Sequence, residues 1–90
     1  MELKDTIQMM TSEDYKERFK AEYHQTKTRY EKLKAFNTRV EAGKIANATE
    51  NKVLVPMLTC PAGLLREQQS IMGQYLHILE VRAVIEGIEL

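Results

Sequence analysis

Leu64-Leu65-Arg66-Glu67-Gln68-Gln69-Ser70-Ile71-Met72-Gly73-Gln74-Tyr75-Leu76-His77-Ile78-Leu79-Glu80-Val81-Arg82-Ala83-Val84-Ile85 carries two apolar registers side by side. Leu64, Ile71, Ile78 and Ile85 recur every seven residues, and so do Leu65, Met72 and Leu79. A seven-residue repeat places such residues along one line of an α-helix. Leu76, Val81, Ala83 and Val84 widen the apolar surface further. A helix facing one neighbour needs only about 100° of apolar surface. This one therefore has more than one neighbour, and association with copies of the same chain is the economical reading. Pro61 suits the first helical position, where its missing N–H would have had no partner, and Gly87 supplies a stop.

Upstream, Tyr15, Phe19, Tyr23, Thr26, Tyr30, Leu33, Phe36 and Val40 recur in steps of three and four, which predicts a second amphipathic helix. Thr11 and Ser12 followed by Glu13 and Asp14 read as its start, with a hydroxyl cap and acids in the first turn, and Gly43 reads as its stop. At 1.5 Å per residue a helix over about 12–42 is roughly 45 Å long. Residues 1–11 have room for one or two amphipathic turns through Leu3, Ile7 and Met10. The connection, about 43–60, is small and polar from Ala46 to Lys52 and apolar and β-prone from Val53 to Leu58. The apolar part is expected to pack across the two helices, and Pro56 rules out a central strand. The expected architecture is all-α: one domain over 1–90, an antiparallel two-helix hairpin with helices at about 12–42 and 61–87, assembling into a homo-oligomeric helical bundle.

Composition supports this. Ninety residues make one domain at most, and a chain this short has a marginal core when it folds alone. Apolar residues at 43% and charged residues at 29% exclude a disordered chain. Formal charge is zero, though from Ser12 to Lys44 nine Lys/Arg meet six Asp/Glu, and from Pro61 to Leu90 two meet four. That asymmetry is too weak for a duplex-DNA binder, which needs a dense basic face. A lone Cys60 requires no oxidising compartment, and the N-terminus Met1-Glu2-Leu3-Lys4-Asp5 has no signal-peptide core. With no run near the ~20 apolar residues of a membrane span, the expectation is a cytoplasmic protein with no membrane partner. The sequon Asn47-Ala48-Thr49 carries no weight in such a setting.

No enzyme signature is present: no glycine-rich phosphate loop, no HExxH, no Cys or His pair at metal spacing. His24 and His77 fall on different helices, and Cys60 reads as a small buried or capping residue. No catalytic residue, metal or cofactor is expected. Two polar patterns stand out instead. Gln68, Tyr75 and Arg82, spaced by seven, line one edge between the two apolar registers. Either they are rim residues that snorkel or pair with acids such as Glu22 or Glu31, or they face a cavity between protomers and grip a polar ligand. A guanidinium suits phosphate and a phenol suits base stacking. On the first helix Tyr15, Tyr23 and Tyr30, with Phe19 and Phe36, form an aromatic stripe flanked by Lys20, Lys27, Arg29 and Lys34. That stripe is either a core face with a solvated basic rim, or a place where rings stack on bases while lysines meet phosphates. Ile88 and Leu90 form a short apolar tail suited to packing on a neighbouring subunit.

The segments Asp14-Tyr15-Lys16-Glu17-Arg18-Phe19-Lys20-Ala21-Glu22-Tyr23, Tyr30-Glu31-Lys32-Leu33, Cys60-Pro61, Leu64-Leu65-Arg66-Glu67-Gln68, Met72, Tyr75-Leu76, Ile78-Leu79-Glu80, Arg82-Ala83 and Ile85-Glu86-Gly87-Ile88 resemble a family of short proteins encoded by phages and prophages of Firmicutes and gut bacteria. The resemblance covers roughly residues 14–90. More distantly, the layout resembles the helical-hairpin domain of phage anti-CBASS and anti-Thoeris sponges, which assemble as hexamers and sequester cyclic nucleotide immune signals without cleaving them. Val81-Arg82-Ala83 is similar in position to an arginine those sponges use, and Ser12-Glu13-Asp14 is similar to the opening of their long helix. The resemblance implies a non-enzymatic, oligomeric anti-defence protein acting in the host cytoplasm. Its implied partners are a cyclic nucleotide and copies of itself in a hexamer, with no duplex nucleic acid. The expected ligand-binding set is Arg82, Tyr75, Gln68, Tyr15, Tyr23, Lys27 and Tyr30, of which the resemblance carries over Arg82 and the two polar patterns supply the rest. Two other classes stand beside it: a helical inhibitor that binds a host defence protein, and a structural or DNA-associated phage protein, which the neutral charge disfavours.

Overall fold

The computed structural model describes residues 1–47 and 56–90, and among them every regular element is helical. A 3-10 turn, Leu3–Thr6, runs directly into a short helix α1, Ile7–Met10. Two long helices follow, α2 over Tyr15–Asn47 and α3 over Ala62–Glu86.

Helix α2 starts three residues later than the hydroxyl-cap reading places it. The Asp14 carboxylate accepts the Lys16 N–H at 3.0 Å, and the Asp14 carbonyl accepts the Arg18 N–H at 3.1 Å. Ser12 acts one step earlier, its Oγ accepting the Asp14 N–H at 3.1 Å. A carboxylate cap combines the hydrogen bond with a favourable charge at the positive end of the helix. The far end also differs: Gly43 does not stop the helix, which runs to Asn47. Gly43 is buried within α2, and Gly87 is the one described glycine with a positive φ.

Helix α3 ends at the expected glycine but begins one residue later than expected, with Pro61 as its cap and not as its first helical residue. Pro61 sits one position before the first helical residue, with its carbonyl accepting the N–H groups of Leu64 and Leu65. Gly87 adopts φ 69°, ψ 35°, and the N–H groups of Gly87 and Ile88 both return to the Ala83 carbonyl. That closing motif folds Ile88 back over the helix end, as such motifs commonly do with the apolar residue that follows. Ile88 is consequently buried in this chain's own core and is not free for a neighbouring subunit.

The core consists of Phe19, Tyr23, Leu76, Leu79, Ala83 and Ile88, with Tyr30 packed against it. Contacts pair the start of α2 with the end of α3: Tyr15 with Glu86, Tyr23 with Glu80, Asn37 with Leu65 and Gln69. The two long helices therefore run in opposite directions. Of the register Leu65, Met72, Leu79, Leu79 is fully buried against α2 and the other two are half-buried, Met72 bordering the outward face. The register Leu64, Ile71, Ile78, Ile85 faces outward at 57%, 57%, 54% and 78% exposure.

The N-terminal stretch forms its helical turns, but not with the expected apolar residues inward. Ile7 and Met10 are exposed, while Thr6 is fully buried. The Thr6 hydroxyl donates to the Leu3 carbonyl at 2.7 Å and accepts from Gln25 Nε2 at 2.9 Å. Gln25 and Thr28, whose hydroxyl donates to the Met1 carbonyl, lie on the side of α2 away from Phe19 and Tyr23. The first half of α2 is thus covered on two sides. In the connection, Val53–Val55 and most of the small polar run lie outside the described residues. Met57, at 89% exposure, and Leu58, at 37%, do not pack across the helices as expected.

Candidate functional site

The seven residues singled out above fall into three places. Tyr15 and Arg82 meet in an open groove of ≈ 510 Å³ at the end where α2 begins and α3 finishes, with Arg18, Phe19, Glu22 and Gln25 on its walls. Arg82 Nη2 donates to the Tyr15 hydroxyl at 2.8 Å, and Arg82 Nε donates to Glu86 Oε2 at 3.3 Å. The guanidinium lies over the Phe19 ring, 5.1 Å from its centroid. Tyr15 in turn donates to Glu86 Oε1 at 3.0 Å. Tyr75 sits two turns away along α3 and donates to Glu22 Oε1 at 2.6 Å.

Glu22 thus serves as an acidic partner for this polar edge, as the spacing allows. Glu86, four residues after Arg82 on the same helix, is a partner the sequence reading missed, although i,i+4 spacing of opposite charges marks it. Arg18, also missed, donates from Nη1 to the Ser12 carbonyl at 2.8 Å and leaves its other N–H groups for the groove. A guanidinium carries five donors. Arg82 commits two of them within the chain and keeps a half-exposed side chain.

Tyr23, Lys27 and Tyr30 line a second, smaller groove of ≈ 240 Å³ with Glu80 on its far wall. Tyr23 belongs mainly to the core, and its hydroxyl donates to Glu80 Oε2 at 2.9 Å. Lys27 Nζ stands 5.8 Å from the Tyr23 ring centroid. The hydroxyl end of the Tyr30 ring lies against Gly73, where an added Cβ would come within 3.2 Å of Cε1. Gln68 is in neither groove. It stands on the outward face beside Leu64, Ile71 and Met72, with its amide 3.8 Å from Met72 Sδ.

Three tyrosine hydroxyls are held above the usual range. The hydrogen bond to Glu86 raises Tyr15, and the bond to Glu22 raises Tyr75. Burial, then the bond to Glu80, pushes Tyr23 up to about 12. A phenol in this state donates a hydrogen bond and does not attack as a nucleophile. His24, beneath the N-terminal segment, is pushed the other way by burial and by the positive charges of Lys27, the N-terminus and Lys20. Cys60 is half-buried. Among the described residues no three His, Cys, Asp or Glu side chains gather as a metal cage, and no helix is long and apolar enough to cross a membrane. The first groove offers two guanidinium groups, aromatic faces and one neutral phenol beside the Glu22 carboxylate, a set able to hold an anionic ring-bearing molecule.

A family model described as Sequestin matches residues 13–85, taking in α2 and nearly all of α3 and leaving the N-terminal segment outside. No curated protein and no solved structure matches the chain.

Proposed function

The chain belongs to the Sequestin family, and on that premise we propose that it is a binding protein that sequesters a cyclic nucleotide or oligonucleotide signal of bacterial immunity without cleaving it. In this reading it is a phage anti-defence protein working in the host cytoplasm. The family's name supports sequestration as the mode of action. The observation that carries the ligand class is the groove in which Arg18 and Arg82 stand beside the Tyr15 and Phe19 rings. Their remaining guanidinium donors match phosphate oxygens, and the rings offer stacking faces. Tyr75 closes the same end through Glu22, while Tyr23, Lys27 and Tyr30 supply a second ring-and-cation surface further along.

The long helices form a hairpin in this proposal, and the hairpins assemble as a homo-oligomer, a hexamer by resemblance. Support comes from the outward register of α3. Burying a whole Leu or Ile side chain contributes about 1.5–3 kcal/mol, so covering four half- to three-quarter-exposed ones stabilises an assembly by several kcal/mol. Gln68, beside that register, then lies at the rim of the contact.

Calorimetric titration with cyclic di- and trinucleotides and cyclic ADP-ribose isomers tests the proposal. At least one ligand is expected to bind and to be recovered intact after heat denaturation. Arg82→Ala is expected to weaken that binding by about 1.5–3 kcal/mol, the worth of a charge-assisted hydrogen bond, with the assembly retained. Turnover products would overturn the non-catalytic reading. Binding to none of the panel would favour the alternative, a helical inhibitor of a host defence protein, for which the exposed Leu64, Ile71, Ile78 and Ile85 register is the docking face.

A further inference from the structure

A third groove, of ≈ 340 Å³, lies between the second half of α2 and the first half of α3, and neither of its cations, Lys34 and Arg66, lines the first or second groove. Its floor is Asn37, a buried polar residue of α2 at 9% exposure. Asn37 Nδ2 donates to the Leu65 carbonyl at 3.2 Å and to Gln69 Oε1 at 2.9 Å. A backbone carbonyl only accepts, so these bonds fix which way the Asn37 amide points. They fix Gln69 in turn: its oxygen is used, and its Nε2 amino group remains as a donor with no partner among the described residues.

Lys34 enters the groove from α2 and Arg66 from α3. The ion pairs among the described residues are Lys20–Glu17 and Arg82–Glu86, so neither Lys34 nor Arg66 is neutralised by a carboxylate there. The Tyr30 hydroxyl at one end is likewise unpartnered among the described residues, and Glu41 is the one carboxylate on the rim. Ammonium, guanidinium, amide N–H and phenol O–H therefore converge from two helices, and donors outnumber acceptors. In the first groove, by contrast, Glu86 already neutralises Arg82.

We infer that this groove is a separate site for the phosphate of a phosphorylated small molecule of nucleotide size, held by Lys34 and Arg66 from opposite helices and by the Gln69 amide. Its volume falls within the usual ~300–1,000 Å³ of small-molecule sites. Along α2 its lining starts at Tyr30, five residues or about 7.5 Å beyond Gln25 of the first groove, and the two linings share no residue. Of its lining, Tyr30 and Gly73 also border the second groove, while Lys34, Arg66, Asn37 and Gln69 belong to neither of the other two.

The test follows the side-chain amide signals of Asn37 and Gln69 in isotope-labelled full-length protein by NMR. The ligand is adenosine monophosphate, with adenosine as the phosphate-free control. The nucleotide is expected to move both signals and adenosine to leave them in place. Lys34→Gln combined with Arg66→Gln is expected to raise the apparent Kd at least about tenfold, since each charge-assisted bond lost is worth about that much. Both replaced side chains are exposed, so the helices persist, and circular dichroism verifies it. Arg82→Ala is expected to leave this titration unchanged. Signals unmoved at millimolar nucleotide overturn the inference, and so does movement that survives the double substitution, that adenosine reproduces, or that Arg82→Ala abolishes. Failure of the proposed function instead appears as no response to any cyclic nucleotide at Tyr15 and Arg82.

Discussion

Leu79 and Ile78 are neighbours in the chain and opposites in the fold: one is wholly buried, the other 54% exposed. Each belongs to a register repeating every seven residues, and a single residue step turns the side chain by about 100° around the helix. What separates the two registers is the polar company they keep. Along the buried one, Tyr23 bonds to Glu80 and Asn37 to Leu65 and Gln69, so the apolar contact is fastened by hydrogen bonds from α2. Along the border between them run Tyr75–Glu22 and Arg82–Glu86. Beyond that border the outward register has apolar side chains and no partner among the described residues. A heptad pattern thus reports that a line of side chains needs covering, while the polar residues beside it report which neighbour does the covering.

The largest effect should come from cutting the buried register. Leu79→Ala is expected to lower unfolding free energy by about 2–5 kcal/mol, the range for a buried Leu reduced to Ala. Ile78→Ala, measured by denaturant unfolding at a concentration where copies are separate, should change it by less than about 1 kcal/mol, half of that side chain being in water already. Equal costs would erase the distinction between the registers. The glutamate variants sharpen it: Leu79→Glu should abolish the helical signal, whereas Ile78→Glu should keep helicity and reduce the mass seen by light scattering.

A smaller effect is expected at the fastening of the buried register. Tyr23 is held neutral up to about 12 by burial and Glu80, against an ordinary value of 10.0. A folded-state value raised in this way stabilises the protein fully below pH ~10, and the stabilisation disappears as pH rises through about 12. Wild type should therefore lose stability across that window more steeply than Tyr23→Phe, which has no proton to release. At neutral pH the variant should be weaker by about 0.5–1.5 kcal/mol, one ordinary hydrogen bond. Parallel pH profiles for the two proteins would remove Tyr23 from this role.

At the border the effect should be smallest. The Tyr75 hydroxyl bonds Glu22 at 2.6 Å, but both groups face solvent. Tyr75→Phe should cost under about 1 kcal/mol in thermal unfolding, in line with exposed polar pairs. A loss as large as that for Leu79→Ala would mean the border, not the buried register, holds α3 in place.

Much of this was legible in residue order. Both registers of α3, its start at Pro61 and its end at Gly87 follow from periodicity and from the backbone preferences of proline and glycine. The aromatic spacing of α2 correctly marks the side that meets α3. Gly43 misleads because a lone glycine can end a helix or sit buried inside one, and its place in the order of residues does not say which. The N-terminal segment misleads for a related reason: eight helical residues are too few for periodicity to count, and the buried member is a threonine satisfied by Gln25, nineteen positions away. Of the site, the meeting of Tyr15 with Arg82 depends on two helices crossing at one level, which spacing within either helix does not state. Asn37 was invisible for the same reason, since an asparagine on the edge of an aromatic stripe declares neither its burial nor its partners.

Gly73 constrains its own replacement from two directions. A glycine inside a helix costs about 1 kcal/mol relative to alanine, so stability alone favours exchanging it. Yet an alanine Cβ would stand 3.2 Å from the Tyr30 ring, and that ring is a wall of both the second and the third groove. Alanine fits only if the phenol withdraws by a few tenths of an ångström, and anything larger drives it out of the space between the helices. Mutational tolerance at position 73 is thereby set by an aromatic ring forty-three positions away: variants that improve α3 as a helix remodel two cavities at once.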